Sequence, residues 1–199
     1  MVTREEIRAT LKYMNEDWQM QSNYLDSATN FIYTSNSIDE IEQRCKQHNI
    51  ELNYALHRWY NFNCAKIHED IFIKFGAQKE QDLYHKTIDF YLFGVPFDLK
   101  TTYFPKAIKD RTNYNLTNRT GKNNLILWLY TNQSKQGRFH LGNRLFIVCE
   151  NLECKSDFGT IENNVSLFID YSKQNGFNKI DLKNKSVCSD IIWIPSKMQ

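Results

Sequence analysis

Between Ile88 and Thr101 apolar and polar positions alternate with a period of two, and on either side the period lengthens toward that of a helix. Ile88, Phe90 and Leu92 alternate with Asp89, Tyr91 and Phe93, while Phe97, Leu99 and Thr101 alternate with Asp98 and Lys100. This pattern predicts a β-hairpin. Gly94-Val95 can supply a two-residue turn with glycine at the first central position, where positive φ is required. Such a turn sets Phe93 against Pro96, Tyr91 against Asp98 and Asp89 against Lys100. The apolar set then faces a core, and the acids and the lysine share the opposite face.

Upstream, Leu52, Leu56, Trp59, Ile67, Ile71 and Phe75 form a stripe at helical spacing, which predicts a long helix over 53–75 with Gly76 as its stop. On that helix Glu69 stands four residues after Ala65 and three before Phe72, on the apolar flank. Asp70 lies on a mostly polar side with Asn63, Lys66, Ile73 and Lys74. A carboxylate on a buried flank needs a base or a metal as partner. Thr3-x-x-Glu6 and Ser37-x-x-Glu40 read as capping boxes, the first helix burying Ile7, Leu11 and Met14 and the second Ile38, Ile41 and Cys45. Residues 15–36, with Trp18, Tyr24, Phe31 and Tyr33, suggest packed but irregular structure.

A short strand is expected over 79–84, before the hairpin. The run Leu125-Ile-Leu-Trp-Leu-Tyr130 fits a strand or a helix, and the spacing of Leu125, Trp128 and Leu129 favours a helix over 122–135. Residues 144–150 read as a fourth strand, followed by a helix over 161–173 and an end strand over 190–194. These elements describe one α/β domain across 1–199. It has a helical N-terminal extension (1–49), a core (51–150) and C-terminal additions (151–199).

Length and composition agree with that picture. A chain of 199 residues is long enough for a substantial core, and 7 glycines and 3 prolines are too few for a disordered or fibrous chain. No apolar run approaches a membrane span, and the acidic start Met-Val-Thr-Arg-Glu-Glu lacks an export signal, so a cytoplasmic location is expected. Cys45, Cys64, Cys149, Cys154 and Cys188 show no CxxC spacing and are expected to be free thiols. The five histidines are scattered without ligand spacing. Charge is uneven: Lys100, Lys106, Lys109, Arg111, Arg119 and Lys122 face Asp110 alone, a local +5 in a chain of net +2. With Tyr103, Phe104 and Tyr114 interleaved, this stretch suits a phosphate backbone and exposed bases, or else an ordinary solvated loop.

Asp89 and Asp98 carry the candidate chemistry. Two carboxylates this close repel unless a cation sits between them, which suggests a divalent metal; a surface hairpin with an Asp89–Lys100 ion pair is the plainer reading. The pattern resembles the PD-(D/E)XK phosphodiesterase superfamily, the restriction-endonuclease-like nucleases. Asp89 matches the first acid of the motif and Asp98-Leu99-Lys100 the Asp/Glu-x-Lys tripeptide. Glu69 matches the glutamate that several of these families carry on the preceding helix, and Ile88 departs from the usual proline.

The resemblance implies a restriction-endonuclease-like αβββαβ core, a central mixed sheet flanked by helices. It implies Mg2+, with Mn2+ as a substitute, held by Asp89, Asp98, the Leu99 backbone carbonyl and Glu69 through water. Lys100 would orient the attacking water. DNA is the expected partner, with RNA left open, and the basic residues together with Gln133 and Arg138 are the candidate phosphate contacts. Symmetric duplex cleavage would further require a homodimer. A non-catalytic nucleic-acid-binding module on the same fold is the alternative, and a helical protein-interaction domain a third.

Overall fold

The computed structural model describes residues 2–15, 22–82, 85, 87–109, 112–132, 142–183 and 185–196. The elements run α1 (Arg4–Ala9), α2 (Asn23–Ala28), α3 (Ile38–His48), α4 (Leu52–Lys74), β1 (Gln78–Lys79), β2 (Phe90–Leu92), β3 (Val95–Tyr103), α5 (Arg119–Asn132), β4 (Arg144–Cys149), α6 (Phe158–Asn175), β5 (Lys179–Leu182) and β6 (Lys185–Ile194), with short 3-10 turns between them. The fold is α/β. One open mixed sheet has the strand order β1-β2-β3-β4-β6-β5. Its centre, β3, β4 and β6, is parallel, and the outer strands pair antiparallel.

All of β4 is buried, as expected of a central parallel strand covered on both faces. Leu145 and Ile147 face one core with Ile71 and Phe72 of α4 and Ile161 and Val165 of α6. Phe146 and Val148 face the other with Leu125 and Leu129 of α5. The 23-residue α4 serves two cores. Its last turns pack on the sheet, while Leu56 and Trp59 pack on Ile7, Ile32 and Ile41 of the N-terminal helices. Those helices start where their caps sit: Thr3 closes a capping box with Glu6, and Ser37 accepts from the Glu40 N–H. Glu40 itself reaches back to the N–H of Asn36.

The hairpin forms, but its register differs from the expectation. Leu92 pairs with Val95, Tyr91 with Pro96 and Phe90 with Phe97, so the turn residues are Phe93 and Gly94, both at positive φ (49° and 79°). This is the geometry of a type I′ turn. Pro96 decides it. The residue closing a two-residue hairpin must donate its N–H across the turn, and proline has none. Val95 therefore closes the turn, and Phe93 bears the left-handed strain. Because the shift moves the pairing by two positions on β3, the same side chains stay on each face. The face expected to hold the acids is open to water only in part, however: Asp98 is buried and Lys100 exposed. Asp98 and Lys100 lie beside Arg144 and Phe146, on the side that α5 covers.

Two further features frame the site. First, β5 pairs only with the start of β6 (Lys185–Cys188), so among the described residues the outer edge of β6 beyond Ser189 has no strand neighbour. Side chains take its carbonyls instead: Lys122 Nζ donates to Ile191 O (2.9 Å) and Asn164 Nδ2 to Trp193 O (3.2 Å). Second, the far end of β3 borders a buried polar cluster. His68 on α4 donates through Nε2 to the Lys155 carbonyl (3.0 Å), and its Nδ1 is bonded to Thr101 Oγ1 (2.8 Å). Lys155 is 4% exposed. Its Nζ donates to Asn61 Oδ1 and lies 4.4 Å from the centre of the Tyr103 ring.

Candidate active site

At the start of β2 the ladder departs from regular pairing. Phe90 is the register partner of Phe97, yet the Asp89 N–H also donates to Phe97 O (2.9 Å). Two successive residues thus oppose one, the arrangement of a β-bulge, which re-aims the side chain of the extra residue. Asp89 accordingly turns back along β3, and its Oδ2 accepts the N–H of Leu99 (2.6 Å). The residue expected opposite Lys100 therefore sits against the backbone of the Asp98-Leu99-Lys100 tripeptide. Burial, reinforced by the carboxylates of Asp98 and Glu69, holds the Asp89 carboxyl above its ordinary range against the opposing pull of the Leu99 N–H and Lys100.

Asp98 is 2% exposed. Its N–H donates to Asn143 O (3.1 Å). Its carboxylate meets two cations: Oδ1 is in contact with Lys100 Nζ, and Oδ2 accepts from Arg144 Nε (3.1 Å). Lys100 lies two residues along the same strand face and keeps a side-chain exposure of 47%. The Arg144 side chain is 6% exposed, and its guanidinium carbon lies 5.1 Å from the centre of the Tyr130 ring. Asn143 locks this end of the sheet by donating to Pro96 O (3.0 Å) and accepting from the Cys188 N–H (2.9 Å).

Glu69 is half-buried on the flank of α4, while Asp70 is exposed. Glu69 points toward the hairpin edge, where Oε1 meets Lys79 Nζ (2.9 Å). Glu69, Asp70 and Asp89 all raise the pKa of Lys79, the hydrogen bond to Glu69 most. The structure thus brings Asp89, Asp98, Leu99 and Lys100 together, and Asp89 is the residue that also feels the Glu69 carboxylate. It adds two cations that the sequence pattern did not reveal, Lys79 and Arg144. Lys79 lay in an expected strand with no sign of a partner on α4. Arg144 is 46 residues from Asp98, and only the parallel register of β3 and β4 joins them.

The basic stretch is not brought to the hairpin as one surface. Lys106 and Lys109 are exposed in a short turn beyond the C-terminal end of β3, well past Asp98. Arg119 pairs with Asp190 (2.6 Å), and Lys122 is drawn onto the β6 edge; both line a groove of about 380 Å³ with Tyr171 and Trp193. That groove is two strands, about 10 Å, across the sheet from β3. Arg111, Gln133 and Arg138 lie outside the described residues.

Mg2+ asks for one or two carboxylates and completes its octahedron with water and substrate phosphates. Asp89 and Asp98 fit that demand in donor type. Among the described residues no group of three or more His, Cys, Asp or Glu side chains forms a ready-made metal cage. All five cysteines are free, and no helix among the described residues is long and apolar enough to cross a membrane. Compared with known proteins, the chain matches no family model, no curated protein and no solved structure.

Proposed function

We propose that this protein is a divalent-metal-dependent nuclease of the PD-(D/E)XK kind, hydrolysing phosphodiester bonds of DNA. The observation that carries the reading is the bulge at Asp89, which seats that carboxylate on the backbone of the Asp98-Leu99-Lys100 tripeptide. The element order α4, β1, β2, β3, α5, β4 supports the same reading, since it follows the helix–three strands–helix–strand order of such cores.

In this reading Asp89, Asp98 and the Leu99 carbonyl would hold Mg2+ or Mn2+, with Glu69 acting through water, and the chemistry supplied at such a site would be a water acidified for attack on phosphorus. Lys100, half in solvent and in contact with Asp98, orients that water and offsets the charge that develops on the phosphoryl oxygens. Asp98 is fixed by its backbone bond to Asn143, so the lysine works from a rigid strand.

Two measurements test it. Calorimetric titration with Mg2+ and Mn2+ should give binding that Asp98→Asn removes. Incubation with linear, circular, single-stranded and duplex DNA, and with RNA, should give Mg2+-dependent cleavage of at least one DNA form. Lys100→Ala should lower the cleavage rate by roughly 100- to 1,000-fold, the scale of one preorganised electrostatic group, without weakening metal binding. Absence of both metal binding and cleavage sinks the proposal. The ion pairs Glu69–Lys79 and Asp98–Arg144 favour a second reading, a non-catalytic nucleic-acid-binding module whose acids are already neutralised. Salt-sensitive DNA binding with no cleavage and no metal titration would select it.

A further inference from the structure

Asp98 is the proposed metal ligand that reaches the nucleophile-activating lysine, yet its Oδ2 is already engaged by a nearly buried guanidinium. Arg144 is not held by Asp98 alone. Its guanidinium lies against the Tyr130 ring, and that ring is anchored by Tyr130 Oη donating to Gly142 O (2.7 Å). An arginine with a planar, aromatic second support can give up one oxygen without losing its place in the fold. A divalent ion arriving at Asp98 would meet two cations already in contact with the carboxylate, Lys100 on one oxygen and Arg144 on the other.

We propose that Arg144 is a positioning residue of the site that competes with the divalent cation for Asp98, holding the carboxylate in place while the cation is absent and giving it up on cation binding. The inference rests on the reading of Asp98 as a metal ligand. Two consequences follow from linkage. The guanidinium and the ion each weaken the other's hold on Asp98 by the same factor. Metal affinity in the native chain is therefore set below what the carboxylates alone would give.

Arg144→Gln keeps a donor for Oδ2 and removes the charge, and Arg144→Lys keeps the charge and loses the planar fork. Calorimetry with Mg2+ and with Mn2+, on each chain without nucleic acid, reads the competition directly. Arg144→Gln should bind both ions about tenfold more tightly than the native chain, the scale of removing one close cation, and Arg144→Lys should lie between the two. Thermal unfolding guards against a variant that is only damaged. Without metal, Arg144→Gln should melt below the native chain, because a buried carboxylate loses a charged partner. Saturating Mn2+ should raise its Tm by more than it raises the native Tm. A purely structural arginine would leave affinity unchanged or lowered and the Tm increments equal, and that result overturns the inference. A native chain that binds neither ion overturns the metal-site reading itself, which is a separate outcome.

Discussion

Charge is buried near both ends of β3, and the two ends treat it differently. At the hairpin end Asp98 is 2% exposed and meets Lys100 and Arg144. About 16 Å along the strand, Lys155 is 4% exposed and packs against Tyr103, where its ammonium has an amide oxygen and a ring face but, among the described residues, no carboxylate. The Tyr103 hydroxyl and Asn61 Nδ2 in the same cluster are buried without a hydrogen-bond partner among the described residues. Burial lowers the Lys155 pKa, and burial followed by the nearby lysine pushes His68 down to about 3. One end therefore pairs its charge with a carboxylate, whereas at the other burial disfavours the charged forms of Lys155 and His68.

The largest test of that contrast is Asp98→Leu. It leaves the Arg144 guanidinium buried without its carboxylate, and the loss should be about 3–5 kcal/mol in urea unfolding without metal. Lys155→Met removes an ammonium that has no carboxylate to abandon, and unfolding should move by no more than about 1 kcal/mol in either direction. Equal losses in the two variants would mean that Lys155 is as firmly paired as Asp98, and the contrast would collapse.

Acid titration sharpens the comparison with opposite signs. A histidine held below its ordinary pKa binds a proton more readily when unfolded, so the His68 contribution is complete above about 6.5 and declines as pH falls toward about 3. The decline should reach at most about 1.4 kcal/mol per pH unit. Asp89 is raised, so the folded chain holds its proton where the unfolded chain has lost it, and its contribution falls as pH rises through that window. The two slopes oppose each other just above the ordinary carboxylate range, where both groups titrate. Asp89→Asn keeps an oxygen for the Leu99 N–H and removes one slope. Its unfolding free energy should then fall more steeply with acid than that of the native chain, and parallel curves would show that Asp89 does not titrate as its surroundings imply.

The smallest effect concerns charge that is neither buried nor paired in this way. Lys106 and Lys109 are exposed, and replacing both by alanine should leave unfolding unchanged. If each touches a phosphate, the salt slope of duplex DNA binding should fall by about 0.9 per contact. An unchanged slope would assign that turn to solvent.

Features set by neighbours in sequence were legible. The capping residues Thr3 and Ser37, the stripe of α4 and the flank holding Glu69 all depend on contacts within one or two turns. The hairpin was legible as a hairpin. Its register turned on whether one residue, Pro96, could donate a proton, and that constraint enters only when the closing pair is considered atom by atom. Strand β5 was missed because a four-residue Lys-Ile-Asp-Leu segment carries almost no periodic signal. In the site, the local spacing of Asp89, Asp98 and Lys100 could be read directly, whereas Arg144 and Lys79 arrive through strand and helix packing. Counting bases between Lys100 and Lys122 found real charge. It could not find Asp190, 71 residues from Arg119, which neutralises one of them.

The half-open edge of β6 has a consequence for how this protein meets copies of itself. A bare sheet edge offers carbonyls and amides in the spacing that another strand needs, and chains that leave one uncovered tend to join edge to edge. Here Lys122 and Asn164 occupy the Ile191 and Trp193 carbonyls, and the Asp190 carboxylate accepts the Ile191 N–H (2.8 Å). A strand approaching that flank would have to displace a lysine, an amide and a carboxylate before forming its first rung. Any pairing of two such chains is thereby turned away from a continuous intermolecular sheet along this edge and toward faces made of side chains.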